Sequence, residues 1–361
     1  MATSLNLDLS YIAAPMVNQS DTPFRALVNR HGATLTYTEM LRPARLLSDP
    51  DYLAFHRRAL ELGRPSAGPV VVQVCGNDQD EIVRGAKTVV DLCDGIDLNL
   101  GCPQDIAREE HFGAYLLAKK DWPLVQGIVS SLSRSLSVPV SAKLRLCSPV
   151  SSTLALASNL EASGAAFLAL HARHPSARRR RQGAADLTVV KALVEGIGVP
   201  VVSNGNVRTW DDLSQNVEFT GASGIMVGET LLGNPFLFEG TLPDPVSASL
   251  EYLELCRTYP GTATLKTVQT HIRHFMEHQC RRRTWFPQFR TRLGQCTSTE
   301  EIETLLKGKV RRWHKLKDCS VSRGGGEAMD EDVDIETEGR ILTEVLHGGL
   351  FDDHDALMLE M

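Results

Sequence analysis

The chain has 361 residues, a formal net charge of −6 and 42% hydrophobic residues. That length exceeds one ordinary domain but suits an eight-stranded α/β barrel with an appendage, and the composition excludes collagen-like and wholly low-complexity chains. The charge is uneven: residues 320–361 hold twelve Asp/Glu and two Lys/Arg, a net of −10, so residues 1–319 carry +4.

A mildly basic body with an acidic tail suits a polyanionic partner. The eight cysteines, at positions 75, 93, 102, 147, 256, 280, 296 and 319, include no Cys-x-x-Cys pair. They are expected to be reduced thiols of an intracellular protein without a metal site. The first residues have neither a basic region nor a long apolar run, and no stretch of about 18 apolar residues follows, so neither a signal peptide nor a membrane span is expected.

Eight strand-like runs recur at 11–17, 35–40, 70–76, 95–101, 138–146, 167–173, 199–207 and 224–228. Helical patterns lie between them at 22–30, 52–62, 79–92, 122–136, 152–163 and 187–195. This alternation predicts an α/β fold, a TIM (β/α)8 barrel, over residues 1–240. The rival, a doubly wound open sheet, needs a glycine-rich turn after its first strand, where the chain instead reads Ala14-Pro15-Met16-Val17-Asn18.

A barrel carries its chemistry at the C-terminal ends of its strands. Six of the eight runs end in polar or glycine residues suited to that place. They supply Gln73, then Asn99 with Cys102, Lys143 with Arg145, His171 with Arg173, Asn204 with Gly205, and Gly228 with Glu229.

The central stretch is Gly95-Ile96-Asp97-Leu98-Asn99-Leu100-Gly101-Cys102-Pro103. Its first half reads as a buried parallel strand, and Gly-Cys-Pro then breaks the strand and leaves a thiol at its tip. A lone cysteine is usually a small core residue; Asn99 and the bare backbone of Gly101 beside it suit a flat ligand instead. A lysine inside an apolar strand wants an anionic or electron-rich partner, which singles out Lys143. The turns Asn204-Gly205-Asn206 and Gly228-Glu229 suit a phosphate held by backbone amides.

Residues 241–319 are expected to form a helical, basic second domain. Residues 251–319 carry fourteen Lys/Arg and seven Asp/Glu. Residues 320–361 open on Gly324-Gly325-Gly326 and turn acidic, which predicts disorder.

Taken in order, Ala14-Pro15-Met16, Gln73, Asp97-x-Asn99-x-Gly101-Cys102-Pro103, Lys143-x-Arg145, His171, Asn204-Gly205 and Gly228 with Asn234-Pro235 resemble the tRNA-dihydrouridine synthases. The likeness runs through about residues 10–240, and within the family the sequence resembles the eukaryotic branch acting at positions 20a and 20b of the tRNA D-loop, as does its run Arg178-Arg179-Arg180-Arg181-Gln182-Gly183-Ala184-Ala185-Asp186. The resemblance implies an FMN enzyme that reduces the C5=C6 bond of uracil, with NADPH or NADH re-reducing the flavin. Cys102 is then the acid that protonates C5; an unperturbed thiol, with a pKa of about 8.5, is mostly protonated at neutral pH.

By the same likeness Gln73, Lys143 and His171 hold the flavin ring and ribityl chain, and Pro15 and Met16 line the ring. Asn204, Gly205, Asn206, Gly228 and Glu229 hold the phosphate end, and Asn99 and Arg145 face the uracil. Two positions depart from the usual pattern: Ala172 follows His171 where many members have glycine, and Glu229 stands where many have arginine. A carboxylate cannot pair with phosphate, so Glu229 is left its backbone N–H.

A uridine in folded tRNA must leave its stack to lie on a flavin, and the affinity is expected from Lys/Arg contacts to phosphates. Arg178, Arg179, Arg180, Arg181, Arg281, Arg282, Arg283, Arg290 and Arg292 are the candidates. The expected protein is a monomer in the cytoplasm, with a nuclear pool also compatible. Two other functions remain open from the residues: an FMN enzyme of free pyrimidines, and a catalytically silent RNA-binding relative.

Overall fold

The computed structural model describes residues 6–64, 66–177 and 183–310. The strands are β1 (Tyr11–Ala13), β2 (Leu35–Leu41), β3 (Val70–Val74), β4 (Gly95–Leu100), β5 (Val140–Arg145), β6 (Phe167–His171), β7 (Val201–Asn204) and β8 (Gly224–Val227). Each pairs in parallel with the next, and β8 returns to β1, closing the barrel. All eight expected runs are strands. Most are shorter than their runs, because pairing stops where the chain turns toward a helix, as at Pro15 after β1.

The helices are α1 (Thr22–Arg30), α2 (Pro43–Ser48), α3 (Pro50–Gly63), α4 (Gln79–Lys87), α5 (Asp105–Glu109), α6 (Trp122–Ser135), α7 (Ser152–Ala162), α8 (Leu187–Gly196), α9 (Asp211–Thr220) and α10 (Glu229–Gly233). They continue as α11 (Pro245–Thr258), α12 (Leu265–Cys280), α13 (Phe286–Gln295) and α14 (Thr299–Leu305). Local signals explain many of the starts: Asp21, Asp78, Thr264 and Ser298 each accept a backbone N–H at a helix N-cap. Sequence periodicity did not reveal α9, which buries only Leu213, Asn216 and Thr220 and so has little apolar stripe to detect.

Strand side chains alternate between two destinations. Val70, Val72, Val74, Ile96, Leu98, Leu100, Val140, Ala142, Leu144, Leu168 and Leu170 point outward into one core with helix residues such as Leu60, Ile82, Ile128, Leu132, Leu156 and Leu193. The opposite parity fills the barrel. Ile12, Leu35, Tyr37, Val71, Phe167, Ala169, Val202 and Met226 plug its interior. Toward the C-terminal ends of the strands the same inward parity turns polar, with Gln73, Asp97, Asn99, Ser141, Lys143, Arg145, His171 and Asn204. Pairing register sets Gln73 beside Asp97, Asn99 beside Lys143, Arg145 beside His171, and His171 beside Asn204.

After β8 the described chain is helical. These helices do not stand apart from the barrel: Tyr252, Leu253, Ile272 and Phe275 share one core with Phe24, Leu27 and Val28 of α1 and with Ile225 and Val227 of β8. A buried polar strut crosses that contact. His271 Nε2 lies 2.7 Å from Asp21 Oδ2, and the Tyr252 hydroxyl donates to Asp21 Oδ1 at 3.0 Å. Phe24 stacks on the His271 ring, with centroids 4.5 Å apart.

Among the described residues no helix is long and apolar enough to cross a membrane, no His/Cys/Asp/Glu group has the makings of a metal site, and no disulfide is formed. The expected disorder of 320–361, the residue Cys319 and the arginines Arg178, Arg179, Arg180 and Arg181 fall outside the described residues.

Candidate active site

Four inward polar side chains on β3, β4 and β5 form one hydrogen-bonded chain. The Ser141 hydroxyl donates to Asp97 Oδ1 at 2.6 Å, and Gln73 Nε2 donates to Asp97 Oδ2 at 2.8 Å. Asn99 Nδ2 donates to Gln73 Oε1 at 2.7 Å. Asn99 Oδ1 in turn accepts the backbone N–H groups of Gly101 at 3.0 Å and Cys102 at 2.9 Å. Ser141 and Asp97 are fully buried, and burial pushes the Asp97 carboxyl up to about 6 against the bonds from Ser141 and Gln73.

The Cys102 loop has further supports. Ala114 N–H donates to the Cys102 carbonyl at 3.0 Å, and the tight approach needs Gly113, where an added Cβ would lie 2.8 Å from that same oxygen at φ +63. Arg145 Nε donates to the Gly101 carbonyl at 2.9 Å, while its Nη1 donates to His174 and Ala177 carbonyls at 3.0 and 3.1 Å. Arg145 therefore ties the loop after β4 to the loop after β6. The Cys102 thiol is partly exposed, 3.8 Å from Gln104 Oε1.

Lys143 and His171 are different. Among the described residues neither side chain has a hydrogen-bond or ion-pair partner. Burial, followed by the charge of Arg145, holds the Lys143 ammonium down at about 8, although Asp97 and the Cys102 thiolate would raise it. Burial and the cations Lys143, Arg145 and Arg173 push His171 down to about 2, so its imidazole is neutral near pH 7. The mouth thus gathers two half-buried, strongly perturbed groups that face neighbours on adjacent strands, the pattern of a functional site.

The turns after β7 and β8 serve the protein first. Asn204 Nδ2 donates to the Met226 carbonyl at 2.7 Å. Asn206, at φ +59, accepts the Ala185 N–H and donates to the Ala185 carbonyl, both at 2.8 Å. Gly205 is demanded by the same segment: its φ is +139, and a Cβ there would lie 2.6 Å from the Ala185 Cβ. What these turns offer a ligand is backbone. Gly228 sets bare backbone opposite Met16, whose sulfur would be 3.6 Å from an added Cβ. Met16 itself is anchored by its N–H to Ser20 Oγ at 2.9 Å. Glu229 stands at the start of α10, near enough to Arg145 to favour the charged guanidinium.

Sequence reasoning brought Gln73, Asn99, Cys102, Lys143, Arg145, His171, Asn204 and Met16 to one end of the barrel, where the structure also has them. It placed Asn99 and Arg145 facing a base. In the structure the Asn99 amide is engaged with Gln73, Gly101, Cys102 and, at 3.5 Å, Met40 Sδ, and Arg145 with three carbonyls. Asp97 and Ser141 were missed as site residues. Their signal was available: both share the inward parity of Asn99 and Lys143 one layer deeper. Arg281, Arg282 and Arg283 are exposed just beyond α12, whose His278 packs on Gly233 of α10.

A family model described as Dihydrouridine synthase (Dus) matches residues 12–315. The chain belongs to the dihydrouridine synthase family. The mouse tRNA-dihydrouridine(16/17) synthase NAD(P)(+)-like protein is 36% identical over 268 residues, 74% of this chain and 55% of that one. The chain thus spans little more than half of that relative. The human tRNA-dihydrouridine(20a/20b) synthase NAD(P)+-like protein is 30% identical over 270 residues, 74% of this chain and 81% of that one. Among solved structures, morphinone reductase in complex with tetrahydroNAD superposes with a TM-score of 0.50 at 13% identity, over 68% of this chain and 90% of that one; that likeness concerns the barrel fold.

The donor set at the mouth of this barrel suits a flavin. A half-buried ammonium and a neutral imidazole lack partners among the described residues, Gln73 keeps a second amide hydrogen, and the bare backbone of Gly228 lies across from Met16. An electron-rich ring with a phosphate tail satisfies each of these.

Proposed function

We propose that this protein reduces a D-loop uridine of tRNA to 5,6-dihydrouridine at the C-terminal mouth of its barrel. The observation that carries the reading is the convergence of the Cys102 thiol with the half-buried Lys143 and His171, in a chain of the dihydrouridine synthase family. FMN bound there supplies the hydride for uracil C6 and is recharged by NADPH or NADH, in keeping with the NAD(P) in the relatives' names. Lys143 and His171 hold it, with Gln73, Pro15 and Met16 beside the ring and the backbone of Gly205, Asn206, Gly228 and Glu229 toward the phosphate.

Cys102 gives its proton to C5. The thiolate left behind is favoured by the charges of Lys143 and Arg145, whose own titration it influences. The thiol is carried by a loop pinned on both sides, so the acid is presented without rearrangement. The substrate's phosphates fall to exposed arginines, Arg281, Arg282 and Arg283 among them. Identity is higher to the 16/17-named mouse relative than to the 20a/20b-named human one, which favours positions 16 and 17 over 20a and 20b.

The test is a visible spectrum of the purified protein together with a map of dihydrouridine in tRNA from cells carrying Cys102→Ala. A flavin spectrum and loss of dihydrouridine at one or two D-loop positions are expected. A colourless protein sinks the flavin reading, and undiminished dihydrouridine in the variant removes Cys102 from the mechanism.

A further inference from the structure

The polar chain at the barrel mouth has a direction, and one residue sets it. A carboxylate only accepts hydrogen bonds, whereas a side-chain amide has a donor end and an acceptor end that must be assigned by their neighbours. Asp97 Oδ2 faces Gln73, so Gln73 must turn its NH2 toward Asp97, at 2.8 Å, and its oxygen toward Asn99. Asn99 must then turn its NH2 to that oxygen, at 2.7 Å, which leaves Asn99 Oδ1 for the N–H groups of Gly101 and Cys102. If Gln73 were reversed, two oxygens would meet at Asp97 and two NH2 groups at Asn99. If Asn99 were reversed as well, its NH2 would confront the two backbone N–H groups that it now accepts.

We infer that Asp97 is a positioning residue: by fixing the amide orientation of Gln73 and then of Asn99, it holds the backbone turn that carries Cys102. The inference rests on the proposed role of Cys102 as proton donor and deepens it. Protonating Asp97 does not undo the direction. The proton goes on Oδ1, where the Ser141 hydroxyl, 2.6 Å away, can accept as well as donate, and Oδ2 stays an acceptor for Gln73.

The direction makes a double substitution more nearly native than one of its parts. Asn99→Asp keeps an oxygen for Gly101 and Cys102 but sets a second oxygen against Gln73 Oε1. Gln73 relieves this only by setting its oxygen against Asp97. Asp97→Asn alone is accommodated, with the new amide's oxygen toward Gln73 and its NH2 toward Ser141 Oγ. When Asp97→Asn is combined with Asn99→Asp, every bond re-forms with Gln73 reversed. The amide introduced at position 97 donates to Gln73, and Gln73 donates to the carboxylate introduced at position 99. That carboxylate still accepts from Gly101 and Cys102.

The experiment is peptide-resolved hydrogen exchange across residues 100–104 and the iodoacetamide alkylation rate of Cys102 by mass spectrometry, both on cofactor-free protein at pH 8. Asn99→Asp is expected to lower the protection of the Gly101 and Cys102 amides about tenfold and to change the alkylation rate, as for a buried hydrogen-bond pair opposed by like dipoles. Adding Asp97→Asn is expected to restore both to within about threefold of the unsubstituted protein, roughly the effect of Asp97→Asn alone.

Additive effects of the two substitutions overturn the inference. So does unchanged protection in Asn99→Asp, which would mean that the relay does not hold the turn. A thermal melt of each variant separates loss of the turn from loss of the fold, and a globally unfolded double variant also counts against a relay that should have re-formed. Neither readout needs tRNA or flavin, so this result stands apart from the dihydrouridine assay: absent tRNA reduction fails the proposed function and leaves the relay to be judged on its own data.

Discussion

Replacing Lys143 by methionine keeps the aliphatic stem and deletes the charge, and the structure predicts opposite effects on stability and on function. The ammonium is held at about 8 against an ordinary 10.5, chiefly by burial. At about 1.4 kcal/mol per tenfold, that gap is roughly 3 kcal/mol of penalty on the charged form. Part is returned in the variant, since Asp97 loses the cation that favours its carboxylate. The unfolded lysine titrates higher than the folded one, so between about 8 and 10.5 the unfolded chain binds more protons and folded stability rises with pH.

Below that window the whole penalty is present. Cofactor-free Lys143→Met is therefore expected to be more stable at pH 7 by about 1–3 kcal/mol, a rise of roughly 2–6 °C in Tm for a chain of this size. The advantage should shrink toward pH 10.5. Differential scanning fluorimetry of both proteins at several pH values, with the flavin retained on purification measured by absorbance, reads both sides of the trade. A variant less stable than the parent at pH 7, or an advantage that grows with pH, refutes the assignment of Lys143 as a group kept charged for a ligand.

Gly205→Ala places a Cβ 2.6 Å from that of Ala185 at a φ of +139, so it should cost about 1–3 kcal/mol in urea unfolding and loosen the Ala185 segment; an unchanged midpoint would show that this approach is not tight. His271→Leu leaves Asp21 Oδ2 without its donor inside the shared core and is expected to destabilise the protein by about 3 kcal/mol, with a loss below about 1 kcal/mol counting against the strut. Reversing Arg281, Arg282 and Arg283 to glutamate should weaken tRNA binding and flatten its salt dependence by about one unit of log–log slope for each phosphate no longer neutralised; filter binding at several salt concentrations that shows an unchanged slope retires that surface.

The barrel was legible because its two cores obey simple periods. Outward residues of β3 to β6 are all Val, Ile, Leu or Ala, so those strands announce themselves, and the inward polar residues Gln73, Asn99, Lys143 and His171 stand out at one end. What spacing did not disclose is which partner each polar side chain takes. The loop from Gly101 to Gln104 makes no regular ladder, and its N–H and C=O groups need partners once half-buried. Asn99 and Arg145 meet part of that need, which is why residues expected to face a base bond to the protein's own loops. The glycine at 205, expected to admit a phosphate, is required by Ala185. Helix α9 escaped notice because its buried face mixes one leucine with Asn216 and Thr220.

The polar groups of the mouth thus fall into two sets with different physical duties. Ser141, Asp97, Asn99, Arg145, Asn204 and Asn206 complete hydrogen bonds within the protein, and most of those bonds end on backbone near Cys102 or after β6 and β7. Lys143 and His171 complete none among the described residues and bear large displacements from their ordinary titration. Half-burying such groups unpaired costs stability, which a ligand that completes them would return. The first set offsets that cost by fixing the surroundings: a ligand entering such a mouth meets donors already oriented, and a thiol already placed, with little left to order on binding.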